Sequence, residues 1–229
     1  MQGELFDFGI ERRIVIIRDR LRAAVGDLPP TTQREPIETL VKSIISSRTR
    51  DEVSLRAYQN LIGLYPSWLA MMRASETEIL QAISEVTFAE DKARNLLLAL
   101  QHIHVRHPDF DLHFLDNEPV PKVMAWLMAL PGVREKVAAA ALNFSTSGRS
   151  AFVMDTHVLR VLGRIGIIGA RMSASKAYAL VMSALYAWAP ADLADLHSYL
   201  KLLGQQVCSA DVMHCRRCPI HDLCHAAAV

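Results

Sequence analysis

Long apolar runs are missing from this 229-residue chain. A membrane-spanning helix needs roughly 18 or more consecutive apolar residues, and the longest candidate, Ile14 to Ile17, makes one turn of a buried helix. The opening Met1-Gln2-Gly3-Glu4 has no basic segment followed by an apolar one, so it does not read as a secretory leader. A soluble cytoplasmic protein with no membrane partner is expected. Glycine is scarce, and no segment alternates apolar and polar residues as a half-buried strand would. Low-complexity tracts and long internal repeats are absent as well. There is no excess of one charge: 25 basic residues stand against 24 acidic ones, a net +1, which is little for a protein that holds a polyanion by bulk charge. The charge is uneven, however. Arg134 to Arg164 carries five basic and two acidic residues, and Lys42 to Arg56 carries four and two. Such runs are ordinary on solvated helix faces and gain meaning only from the motifs around them.

Cysteine is absent from the first 207 residues; the only four, Cys208, Cys215, Cys218 and Cys224, follow with the spacing C-x6-C-x2-C-x5-C. Concentrating every thiol in one short segment points to one metal centre. A 4Fe–4S cluster takes four thiolates, and short unequal spacers let a backbone wrap around it. Structural zinc also takes four cysteines, usually as two C-x2–4-C knuckles, and only Cys215 and Cys218 form one here. Disulfides would require an oxidising compartment. The cluster is the favoured reading, with zinc and disulfides as alternatives.

The rest of the chain reads as helices. An amphipathic segment runs from Ile10 to Val25 and stops before Pro29-Pro30; another opens at Pro36; Asp51 is expected to cap a third that reaches Leu64. Short helices follow at Trp68–Arg73 and at Glu76–Ser84, the latter capped by Ser75. Ala89–His104 places Lys92, Arg94 and Asn95 on a polar side opposite its leucines. Further helices are expected at Val123–Leu130, Glu135–Phe144, Thr156–Ile165, Ser173–Ala187 and Ala191–Val207.

Two of these meet at Leu130-Pro131-Gly132-Val133-Arg134-Glu135-Lys136. A tight apolar hairpin exposes backbone N–H groups at the head of the next helix, where the dipole favours an anion such as a DNA phosphate; it is equally the form of an ordinary helix–helix turn. Lys136 falls in the first turn of that helix. A partly buried amine near a positive helix end should have a lowered pKa and serve as a nucleophile, whereas most lysines are simply solvated. Downstream, Met154-Asp155-Thr156-His157-Val158-Leu159-Arg160 makes Asp155 an N-cap. A rigidly held carboxylate can also stabilise developing positive charge on a sugar or take a proton from an attacking amine.

Hairpin, lysine, aspartate and cysteine tail, in this order and spacing, resemble the endonuclease III family of helix–hairpin–helix DNA glycosylases with a C-terminal 4Fe–4S cluster. The similarity extends from about Pro36 to Cys224. The resemblance implies an all-α, two-lobed fold: a six-helix lobe over 34–146, and a cluster lobe joining 1–33 to 147–229. Kinked DNA would lie in a cleft between them, with one nucleotide flipped out and with Lys136 facing Asp155. It also implies a monomeric base excision repair enzyme, cytoplasmic and nucleoid-associated. Its partner would be double-stranded DNA with a damaged, mismatched or abasic site. Lys136 would expel a base, most readily a damaged or mismatched pyrimidine, through a Schiff base, and β-elimination would nick the strand. The cysteines would hold the cluster, around which Arg216 and Arg217 contact DNA. His157 and Arg160 would orient their helix and its phosphate contacts, and Gly132, Val133 and Arg134 would meet a phosphate at the hairpin. Two other readings differ in class: a non-catalytic iron–sulfur DNA sensor and a zinc-stapled interaction module.

Four departures from the family pattern stand out. Arg134 occupies the second glycine position of the hairpin; if that position needs a positive φ, the side chain costs about 1–2 kcal/mol. Arg48 replaces the usual glutamine that fills the space of the extruded nucleotide, and an arginine there would favour a guanine partner. Thr87-Phe88-Ala89 stands where relatives commonly carry glycine, a bulky apolar residue and then tyrosine, and Phe88 is a candidate wedge between bases. Leu203-Gly204-Gln205 also replaces a histidine–glycine–arginine stretch near the cysteines.

Overall fold

A computed structural model describes residues 2–29 and 33–228, with side chains described from Gly9 to Ala227. Pro30, part of the expected break after the first helix, lies outside them. Every long element is helical; in place of strands, the described residues hold two isolated bridges, Arg34 with Ser145 and Cys208 with Met213. In chain order the helices are α1 (Gln2–Val25), α2 (Pro36–Ser46), α3 (Asp51–Leu64), α4 (Trp68–Arg73), α5 (Glu76–Ala82), α6 (Ala89–Arg106), α7 (Val120–Met128), α8 (Glu135–Asn143), α9 (Thr156–Arg164), α10 (Ala174–Ala184) and α11 (Pro190–Gln206). Three short 3-10 turns follow in the cysteine segment and beyond it. The chain divides into two compact units, Gln33–Arg149 and a discontinuous one made of Met1–Thr32 with Ser150–Val229.

The unit Gln33–Arg149 is built on α2 and α8. Helix α2 buries Ile37, Leu40, Val41, Ile44 and Ile45 and packs against α8. Each fully buried large aliphatic side chain contributes about 1.5–3 kcal/mol. Helix α8 buries every residue from Val137 to Asn143, among them four consecutive alanines, whose small side chains let neighbouring backbones approach closely. Helix α6 adds Ala93, Leu96, Leu97, Leu100 and Ile103 to the core.

Local chemistry explains several of the helix starts. Ser75 and Glu78 form a reciprocal capping box at α5, and Ser67 and Ser173 cap α4 and α10. Asp51 does not cap α3: it is the first residue of that helix and Arg50 is the N-cap, so its carboxylate adds favourable charge to the first turn. Lys92 is also not on the polar side of α6. It is 7% exposed, because its stem follows the apolar face and its ammonium finds three acceptors inside.

In the discontinuous unit, Ile10, Ile14, Ile17 and Leu21 of α1 share a core with Phe152, with Val158, Val161 and Leu162 of α9, and with Leu193, Leu196, Leu200 and Leu203 of α11. Helices α9 and α11 pack so closely that a Cβ on Gly204 would lie 2.9 Å from the Cβ of His157. His197 stands inside this unit with Nδ1 2.7 Å from the Val153 carbonyl. No described helix is long and apolar enough to cross a membrane.

Candidate functional site

The hairpin between α7 and α8 turns on Gly132, whose φ of 76° lies in the left-handed region that favours glycine. A Cβ there would sit 2.8 Å from the Asn95 Cβ, so space and backbone geometry both select glycine. Leu130 and Val133 point into the core, and the Val133 N–H donates to the Leu130 carbonyl at 3.1 Å. Val133 therefore builds the turn, and neither its side chain nor that N–H faces outward for a phosphate. Arg134, exposed at the N-cap of α8, adopts φ −117° and ψ −178°. That is extended backbone open to any residue, so the positive-φ cost raised for this position does not arise and Arg134 is tolerated without strain.

Lys136 occupies the first turn of α8, half-buried, with Nζ 3.4 Å from Ser46 Oγ at the end of α2. Lys92 lies close enough for the two positive charges to interact. Burial first, and then the charge of Lys136, holds the Lys92 amine down at about 8 from an ordinary lysine value of 10.5. Its Nζ donates to the Ile45 carbonyl at 2.6 Å, the Ser47 carbonyl at 2.6 Å and Thr49 Oγ1 at 2.9 Å. Sequence reasoning assigned Lys92 no role. The available signal was a lysine at the position of α6 that continues its apolar stripe toward Ala93 and Leu96.

Arg48 and Phe88 lie in the same unit on two loops that come together, and the Arg48 guanidinium stacks over the Phe88 ring with its carbon 5.9 Å from the centroid. Both residues are exposed, Phe88 at 56%.

In the other unit Asp155 is the N-cap of α9, accepting the Val158 N–H at Oδ1 over 2.9 Å. Arg160 is turned inward. Its guanidinium donates to the carbonyls of Cys208 at 3.0 Å and Gly204 at 2.7 Å, and lies 3.1 Å from His157 Nδ1. These contacts fasten α9 to the end of α11, so Arg160 and His157 orient that helix. Arg216 and Arg217 stand exposed on a 3-10 turn between Cys215 and Cys218.

All four cysteines line one pocket together with Val161, Ile165, Leu203 and Ile220. None forms a disulfide. Arg164, another residue without an assigned role, reaches in from α9: Nη1 lies 3.2 Å from Cys208 Sγ and donates to the Ser209 carbonyl at 2.6 Å. Burial pushes the Cys218 thiol up; the charges of Cys224, Cys208 and Cys215 push the same way, against a backbone hydrogen bond at Ile220. Four sulfurs gathered in one apolar pocket form a donor set that a cationic iron core suits. Among the described residues no three ligating side chains converge on a single-ion site; the sulfurs ring a shared space instead.

The chain belongs to the HhH-GPD superfamily of base excision DNA repair proteins, whose family model matches residues 41–201. Within it the chain is endonuclease III-like. It is 28% identical over 199 residues to endonuclease III of Escherichia coli (strain K12), an alignment covering 85% of this chain and 87% of that protein. It is 24% identical over 203 residues to a thymine-DNA glycosylase of Aeropyrum pernix, covering 86% of each. A solved endonuclease III trapped as a covalent intermediate with DNA shares the fold, with a TM-score of 0.78 at 23% identity over 95% of this chain and 97% of that one.

Proposed function

We propose that the chain is a bifunctional DNA glycosylase and abasic-site lyase that acts on damaged or mismatched pyrimidines in double-stranded DNA. The observation that carries this reading is Lys136 itself. It is a half-buried amine in the first turn of α8, directly behind a glycine-pivoted hairpin, in a chain of the HhH-GPD superfamily. In the proposed reaction Nζ attacks the deoxyribose C1′, the bond from C1′ to the base breaks, and the base leaves with the bonding electron pair. Asp155 takes a proton from the attacking amine and opposes positive charge developing at the sugar. Opening of the ring gives a Schiff base between Nζ and C1′. Loss of a proton from C2′ then expels the 3′ phosphate and nicks the strand. Pyrimidine preference is supported by similarity to a protein named for thymine.

Cys208, Cys215, Cys218 and Cys224 are proposed to hold a 4Fe–4S cluster. When bound, it supplies a rigid core able to exchange single electrons. The chain's own part is to fold residues 208–224 around it and to present Arg216 and Arg217 to DNA phosphates. The exposed Arg134 at the head of α8 is proposed as a further phosphate contact. Arg48 fills the space left by the extruded nucleotide, and Phe88 enters the base stack beside it.

Borohydride reduction on an abasic duplex tests the chemistry. The wild-type protein should form a covalent adduct, and Lys136→Ala should not. A wild-type protein that binds the duplex without any adduct would instead be a non-catalytic DNA sensor.

A further inference from the structure

Arg48 and Phe88 share an unusual backbone state. Their φ values are 55° and 58°, in the left-handed region, where a side chain crowds its own backbone at a cost in energy. Both are exposed, so neither recovers that cost by burial in the core. Strained residues persist only where their surroundings over-determine them. Here the constraint comes from beneath. The Lys92 ammonium donates to the carbonyls of Ile45 and Ser47, at the end of α2 where the helix dipole favours a cation. Its third hydrogen goes to Thr49 Oγ1, which also accepts the Thr87 N–H at 3.1 Å. One ammonium and one hydroxyl thus bolt the residues on both sides of Arg48 to the residue before Phe88. All three ammonium hydrogens are used, so Lys92 is not arranged as a second nucleophile.

We infer that Lys92 is a positioning residue that holds Arg48 and Phe88 as a preformed two-pronged wedge for the duplex opposite a vacated nucleotide. The inference rests on the glycosylase reading above, because only a paired strand has a stack to enter and a partner base to meet. Preforming the wedge removes the ordering cost that two flexible loops would pay on binding. A staple that served folding alone would affect single-stranded and duplex substrates equally; a wedge support affects the duplex.

The test uses the full-length protein with Lys92→Met, which keeps the stem and removes the charge, and Thr49→Val, which removes the shared acceptor. Two quantities are read: the trypsin cleavage rate after Arg48 and Arg50 without DNA, and the ratio of borohydride-trapped adduct on an abasic duplex to that on an abasic single strand. Lys92→Met should be cut about tenfold faster and should lower the ratio about tenfold, with the single-strand rate kept within about twofold, the scale of losing a charge-assisted hydrogen bond. Thr49→Val should give about a threefold loss of the ratio, and it carries the same comparison should Lys92→Met fail to fold. In an Arg48→Ala/Phe88→Ala background, adding Lys92→Met should lower the ratio no further. An unchanged ratio, or equal losses on both substrates, would overturn the inference. A wild-type protein that traps neither substrate would remove the glycosylase reading alone, and the trypsin comparison would then decide the staple: faster cleavage supports it and unchanged cleavage overturns it.

Discussion

A Cβ placed on Gly132 would lie 2.8 Å from the Cβ of Asn95, which ties the hairpin before α8 to the middle of α6. Gly132→Ala meets both a left-handed backbone and a filled space. The two costs, about 1–2 kcal/mol for the conformation and about 1–3 kcal/mol for the overlap, should lower stability by about 2–5 kcal/mol. Urea unfolding measures the loss, and Asn95→Gly in the same chain should recover the overlap part only.

Asp155 has a structural task and a proposed chemical one, and two substitutions separate them. Asp155→Ala removes the cap on Val158 and should cost about 1 kcal/mol of stability. Asp155→Asn keeps an oxygen acceptor at the cap, so its unfolding midpoint should stay near that of the wild type while base release falls by orders of magnitude. Denaturation and single-turnover cleavage, measured together, check the separation.

Lys92 gives a pH signature. Its native value is about 8, below the ordinary 10.5 it regains on unfolding. Between those values the native state has released a proton that the unfolded chain still holds. Stability from this group therefore rises as pH increases from about 8 to 10.5, and it is flat below 8, where both states are protonated. The difference in urea stability between wild type and Lys92→Met should shift with this sign across that window, because the subtraction cancels the other titrating groups.

The cysteine pocket predicts a colour and a stoichiometry. Purified protein should absorb in the visible and carry about four irons per chain, whereas a zinc site would leave it colourless. Cys218→Ser should lose both iron and colour. Circular dichroism should retain the helices of the unit Gln33–Arg149, which contains no cysteine.

The helices and the cysteine constellation were legible because their signals are local. Caps such as Ser75 and Asp155, breaks at proline and glycine, and the spacing of the thiols are written in consecutive residues. The errors fell where long-range packing decides. Lys92 looked polar along its own helix, but its partners Ile45, Ser47 and Thr49 lie more than forty positions away in sequence. Arg160 was expected to orient its helix, and the partners it uses, the carbonyls of Gly204 and Cys208, are ones that no local pattern links to it. Arg134 seemed costly only while its backbone was taken to need a positive φ, and the turn places that requirement on Gly132 alone among the hairpin residues.

The most direct measurement is peptide mapping of the borohydride-reduced adduct. After trapping on an abasic duplex and exhaustive digestion, mass spectrometry should find the sugar remnant on the side chain of Lys136. A remnant on Lys92 or on the N-terminal amine, with Lys136 unmodified, would contradict the account.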